Sequence, residues 1–154
     1  MNRTKSQASF ELLITLALGL SILLPIVAYA FLQIANSSSS LASVEAQQAA
    51  SKLSTVATLV GSEGPPSRQV VQVQIPPGVE NIYVGTENNS IGHEIIFTVR
   101  SPNGLSYITS YTSVNVSGNI GGISLPGTYL INETSFNTCP FQVPVPCVYI
   151  TPVT

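Results

Sequence analysis

Charged and metal-binding side chains are scarce in this 154-residue chain. It has no Asp, no Trp and a single His, and only 8% of its residues are charged, with a formal net charge of -2 at pH 7. A basic surface that could neutralise the phosphates of a nucleic acid is therefore excluded. The Glu residues are spread singly along the chain. The composition thus predicts no nucleic-acid partner, no cofactor and no metal site.

Catalytic side chains are equally sparse. His93 and Glu94 are neighbours at the start of a predicted strand, so their side chains point to opposite faces and cannot easily act together. The chain has no G-x-S-x-G elbow and no cluster with metal-ligand spacing. We expect no catalytic residues and no enzyme activity.

A long apolar run occupies the N-terminal region. Leu12 to Leu32 covers 21 residues without a charge, which as a helix is enough to cross a hydrocarbon core of about 30 Å. Arg3 and Lys5 precede the run, and basic residues favour the cytoplasmic side. The sequence predicts a single-pass membrane precursor with a cytoplasmic N-terminus and the remaining chain outside the cell.

Two kinds of processing are compatible with this run. A secretory signal peptide would be cut after the small-residue stretch Ala28-Tyr29-Ala30, although its apolar core is typically only about 7–15 residues long. The alternative is a retained helix that is cut on its cytoplasmic side. Glu11, at the edge of the run, is unusual in a simple signal peptide and favours the second interpretation.

The stretch KSQASFE resembles the class III signal peptide of archaeal type IV pilin-like proteins. In that family a short basic leader is followed by a Q-x-S-x-E motif, and a prepilin peptidase cuts between the two. The resemblance implies a leader of residues 1–6 and a cut between Ser6 and Gln7. The processing motif would consist of Lys5, Gln7, Ser9 and Glu11.

Glu11 has two interpretations. A cut before Gln7 would create an α-amine with a reference pKa of about 7.7–8, roughly one helical turn from Glu11. The Glu11 carboxylate of one subunit could then pair with the amine of a neighbour and set the register between helices, because either charge left unpaired is costly. Alternatively, Glu11 only interacts favourably with the N-terminal helix dipole, at about 0.3–1 kcal/mol.

The resemblance also implies an architecture and a set of partners. We expect an α+β protein of type IV pilin architecture that assembles with copies of itself into a helical surface filament. Its partners would be a prepilin peptidase, a membrane platform protein and a secretion ATPase, and it would sit in the membrane before assembly. The filament would serve adhesion or surface contact. The alternative is a monomeric β-domain binding module, either membrane-anchored or secreted.

A helical pattern continues beyond the apolar run. Small and apolar residues recur with a spacing of three to four, which predicts one long helix over residues 7–60. This stripe consists of Ala46, Ala49, Ala50, Leu53, Ala57 and Val60. Glycines and prolines in residues 61–68 predict the end of the helix and a linker.

The spacing of apolar residues changes to two in residues 69–154, which predicts strands. We expect a small antiparallel β-sandwich of immunoglobulin-like type, with residues 114–125 as a long crossing loop. The predicted strands include Val71 to Ile75, Asn81 to Val84, Ile95 to Val99, Leu105 to Tyr111, Thr128 to Glu133 and Val148 to Thr151.

The two cysteines, Cys139 and Cys147, are predicted to form a disulfide, because the domain is expected outside the cell. The nine-residue loop that they close would contribute about 2–3 kcal/mol. A metal site is disfavoured, since two thiols and one distant His form an incomplete ligand set.

Four N-x-S/T sequons give candidate N-glycosylation sites in a chain that is predicted to face outward. They begin at Asn36, Asn88, Asn115 and Asn132. Attached glycans would cover a surface with few charges.

Overall fold

The computed structural model describes residues 3–88, 90–101, 104–123, 125–140 and 144–153, without the side chains of residues 3–9 and 39. One helix and six strands follow in chain order: α1 (Arg3–Glu63), β1 (Arg68–Ile75), β2 (Val79–Val84), β3 (Gly92–Ser101), β4 (Gly104–Gly118), β5 (Gly127–Phe136) and β6 (Cys147–Pro152). The chain divides into two compact units, one up to Ser38 and one from Ser39 onward.

The predicted long N-terminal helix is present, and it extends beyond the predicted residues 7–60 at both ends, from Arg3 to Glu63. It runs without interruption through Pro25 and through the serines at positions 37–40, and it ends at Glu63. Gly64 follows with a φ of 73°, a left-handed conformation that glycine adopts without steric cost and that commonly terminates helices.

The strands form one mixed sheet with the order β1-β5-β6-β4-β3-β2. Four of its neighbouring pairs are antiparallel, whereas β4 and β6 are parallel over three residues, Val116 to Gly118. The predicted immunoglobulin-like sandwich of antiparallel strands is therefore wrong, although the α+β class is confirmed. Alternating burial reveals that one face of a strand is covered, but it does not reveal by which element.

We call the unit from Ser39 onward the β-domain. Its second layer is formed by the later part of α1, residues 39–63, and not by another sheet. The predicted stripe from Ala46 to Val60 is buried, together with the apolar sheet residues. Lys52 Nζ donates to the Gln72 carbonyl of β1 at 2.7 Å. The Ser54 and Ser110 hydroxyls are 2.7 Å apart, which joins α1 to β4. The sheet residues in this core are Val71, Val73, Ile75, Val79, Ile82, Val84, Ile95, Phe97, Val99, Ile108, Val116, Ile131, Val148 and Ile150.

The last turn of α1 lies very close to β4. A Cβ atom added at Gly61 would lie 2.8 Å from Cγ1 of Val114, which is too close for a real side chain. A glycine at this position therefore allows the helix to approach the strand.

One predicted connection differs from the structure. Residues 114–118 belong to β4, so the predicted loop over 114–125 is wrong in its first part. This segment is predicted as a loop because it is rich in Gly, Ser and Asn, which have low strand propensity. The turn at Pro76-Pro77-Gly78 joins β1 to β2, which lie at opposite edges of the sheet and do not pair with each other.

Candidate functional site

The first candidate site is the exposed apolar segment, residues 10–34 of α1. Its large apolar side chains are all between 44% and 70% exposed. An 18-residue window in this helix has a mean hydropathy of 2.4 and no buried part, and this is the one helix in the described part of the chain that could cross a membrane by length and composition. Water-soluble monomers rarely expose continuous apolar patches above a few hundred Å², and such a surface is typical of segments that contact lipid or another protein.

Glu11 is the single charged residue of this segment. Its side chain is exposed, and the ion pair found among the described side chains joins Arg100 to Glu80 instead. The Thr15 hydroxyl, one turn further along, donates to the backbone carbonyls of Glu11 and Leu12 at 3.0 Å. Thr15 is therefore satisfied by its own helix, and the Glu11 carboxylate remains exposed at the edge of an apolar surface.

The backbone of the proposed processing motif is helical from Arg3 onward. The side chains of Lys5, Ser6, Gln7 and Ser9 lie outside the described residues. The cut between Ser6 and Gln7 therefore stays a prediction from sequence.

The predicted disulfide is present. Cys139 and Cys147 are bonded with their Cα atoms 5.3 Å apart, and both are buried. The Cys139 amide donates to the Val145 carbonyl at 2.9 Å, which closes the loop at its base. Among the described residues, no group of three or more His, Cys, Asp or Glu side chains is placed to hold a metal ion.

The four sequon asparagines lie in different environments. Asn36 and Asn88 are exposed. The Asn115 amide donates to the Pro146 carbonyl at 3.1 Å. The Asn132 amide donates to the Thr134 hydroxyl at 3.1 Å, and its oxygen accepts a bond from Arg68. The nitrogen atoms that would carry a glycan are thus already hydrogen-bonded at Asn115 and Asn132.

His93 and Glu94 are not brought together. The His93 side chain is exposed and its Nδ1 lies 3.2 Å from the Val114 carbonyl. A cleft beside the disulfide has a volume of about 210 Å³, which is below the usual range of about 300–1,000 Å³ for small-molecule sites. The residues found to line this cleft carry no ionisable side chain.

A second candidate site is the tyrosine face, which we define as Tyr83, Ile96, Thr98, Tyr107 and Tyr111 on the sheet face opposite α1. The strand register places Tyr83 beside Ile96 and Thr98 beside Tyr107. Tyr107 and Tyr111 are 60% and 75% exposed. Sequence reasoning missed this surface, although the i, i+4 spacing of two tyrosines on one strand was a usable signal.

No protein-family model, curated protein or solved structure matches this chain.

Proposed function

We propose that this protein is a structural subunit of an archaeal type IV pilus-like surface filament, assembled through its N-terminal helix. The observation that carries the proposal is the exposed apolar segment. It belongs to the same continuous helix whose later part forms the core of a disulfide-bonded β-domain. The resemblance of residues 5–11 to a class III signal peptide points in the same direction.

The physical logic of assembly is an exchange of apolar surroundings. Lipid tails are as apolar as leucine side chains, so moving this segment from a membrane into a bundle of identical helices changes its hydrophobic burial little. Packing between helices and polar contacts then determine which arrangement forms. The exposed apolar segment would thus be a membrane anchor before assembly and the filament core afterwards.

Glu11 would supply the register of this assembly. After a cut before Gln7, Glu11 is the fifth residue, and its Cα lies about 6 Å along the helix axis from the new terminus. Its exposed carboxylate needs a partner at the edge of the apolar segment. The new amine of a neighbouring subunit would provide one, and a subunit in the wrong register would leave both charges unpaired.

The β-domain would face outward and make the contacts of the filament. Its disulfide suits an oxidising exterior, and the sequon asparagines Asn36 and Asn88 are exposed. The tyrosine face is suited to adhesion, because tyrosine gives a large contact area at a low entropic cost. By family resemblance, the partners are other copies of this chain, a prepilin peptidase, a membrane platform protein and a secretion ATPase.

N-terminal sequencing of the protein isolated from its native cell surface tests the proposal. A start at Gln7 is expected for a pilin. A start at Phe31 would instead indicate a secreted binding module, and a start at Met1 or Asn2 an uncut membrane-anchored module. Either of the last two results would contradict the proposal.

A second test changes the charge of Glu11. Glu11→Gln keeps the size of the side chain but removes its charge, which leaves the amine of the neighbouring subunit unpaired. We therefore expect membrane insertion to continue while the number of filaments seen by negative-stain electron microscopy falls at least about tenfold. Glu63→Gln, at an exposed position at the end of the same helix, is the matched control and should leave assembly unchanged. Normal filaments from the Glu11 variant would sink the register role.

A further inference from the structure

Glu133 is a carboxyl group in the interior of the β-domain. On β5 the odd-numbered residues Ile131, Glu133 and Ser135 are buried, whereas the residues between them are more exposed. The exposed fraction of Glu133 is 0%. The strand register places it between Gln69 of β1 and Ile150 of β6.

Neither carboxyl oxygen of Glu133 has a hydrogen-bond partner among the described residues. The ionisable side chains on the elements around it are Glu45, Lys52 and Glu63 on residues 39–63 of α1, Arg68 on β1, Tyr129 on β5 and Tyr149 on β6. The two cations among them bond to other groups, since Lys52 donates to the Gln72 carbonyl and Arg68 to the Asn132 side chain. The Tyr129 hydroxyl donates to the Leu125 carbonyl.

An ionised carboxylate in such a place is strongly unfavourable, because it loses its hydration and gains neither a cation nor a donor in return. The neutral acid is far less costly to bury. Burial accordingly raises the pKa of Glu133 from 4.5 to about 8.

We propose that Glu133 makes the β-domain pH-sensitive: the domain folds around the neutral carboxylic acid, and it is destabilised when alkaline surroundings remove that proton. The inference rests on the position of Glu133 and does not depend on whether the chain assembles into filaments. A neutral isostere such as glutamine would remove the sensitivity.

The direction of the effect follows from the two protonation states. The unfolded chain loses the Glu133 proton near its ordinary pKa of 4.5, whereas the folded chain keeps it up to about 8. Between these values the folded state holds one proton more than the unfolded state, so stability falls as the pH rises. The stabilising contribution of the neutral acid is complete below about 4.5 and is lost by about 8.

Denaturant unfolding of the full chain in neutral detergent micelles, at a series of pH values, tests this inference. For the native sequence, we expect the folding equilibrium constant to fall by up to about tenfold per pH unit between about pH 5 and 8. In Glu133→Gln, the folding equilibrium constant should change much less with pH over the same range. Glu87→Gln, which changes an exposed carboxyl, should leave the pH dependence as steep as in the native protein. If the folding equilibrium constant depended equally on pH in the native protein and in Glu133→Gln, the inference would be overturned.

A spectroscopic measurement decides the question even if the variant folds poorly. The native protein at neutral pH should show the infrared C=O stretching band of a protonated carboxyl group, and this band should vanish as the pH rises past about 8. Its absence at pH 6, where exposed carboxyls are ionised, would show that Glu133 is charged in the folded protein and would overturn the inference.

Discussion

The helix α1 has an earlier part, residues 10–34, and a later part, residues 39–63, which differ in how far their apolar side chains are exposed. Leu20 in the earlier part is 49% exposed, whereas Leu53 in the later part is 1% exposed. The earlier part is apolar on all sides, which is typical of helices surrounded by lipid or other helices. The later part buries one side against the sheet, and its exposed side is mixed, with Gln48 and Lys52 beside the exposed Leu41, Val44 and Leu59. The difference teaches that the apolar residues of residues 39–63 are covered by the sheet of the same chain, whereas nothing in the described structure covers those of residues 10–34.

Matched leucine substitutions give the sharpest test of this comparison. Leu53→Ala leaves a cavity between helix and sheet, so we expect a loss of about 2–5 kcal/mol in the free energy of unfolding. Leu20→Ala removes the same atoms from an exposed position, and the stability of the β-domain should change by less than about 0.5 kcal/mol. Denaturant unfolding of the full chain in micelles measures the free energy of unfolding of both variants. Similar losses would contradict the claim that only the later part of α1 is packed in the core of the β-domain.

Removal of the disulfide tests the β-domain alone. The double variant Cys139→Ser with Cys147→Ser frees a loop of nine residues, and the unfolded state gains entropy that should lower the free energy of unfolding by about 2–3 kcal/mol. Membrane insertion of the exposed apolar segment should stay the same, as measured by resistance to alkaline extraction. A loss of insertion would show that the disulfide acts on more than the stability of the β-domain.

A smaller effect is expected from the contact between α1 and β4. Ser54→Ala removes the hydroxyl that lies 2.7 Å from the Ser110 hydroxyl, and the half-buried partner loses its bond at a cost of about 1 kcal/mol. Ser62→Ala is the control, because the exposed Ser62 bonds only to a carbonyl of its own helix in the described structure. Equal thermal unfolding midpoints for both variants would show that the contact between Ser54 and Ser110 does not stabilise the packing of α1 on β4.

Much of the helix and the covalent framework could be predicted from the sequence. The spacing of Ala46, Leu53 and Val60 indicated the buried face of α1, and all three are buried. The uncharged run predicted a helix long enough to span a membrane. The disulfide followed from two cysteines in a chain expected outside the cell. These features depend on local periodicity or on covalent chemistry, which a sequence displays directly.

The layer structure of the β-domain could not be predicted in the same way. The alternation of Val71, Val73 and Ile75 indicates a covered face, but a helix and a second sheet leave the same pattern. The parallel contact between β4 and β6 joins segments about thirty residues apart, and no local signal specifies it. Glu133 was likewise indistinguishable from any polar residue of a strand until its neighbours were known.

The sequence by itself determined the long helix, its apolar first part, the charge at Glu11, the sequons and the cysteine pair, because each is written in the order of neighbouring residues. Only the tertiary structure decided that α1 covers a single mixed sheet, that three tyrosines share one face, and that Glu133 lies without a partner among the described residues of the core. The burial of a side chain and the pairing of strands depend on contacts between segments that are distant in sequence, and these contacts do not appear in any short stretch of residues.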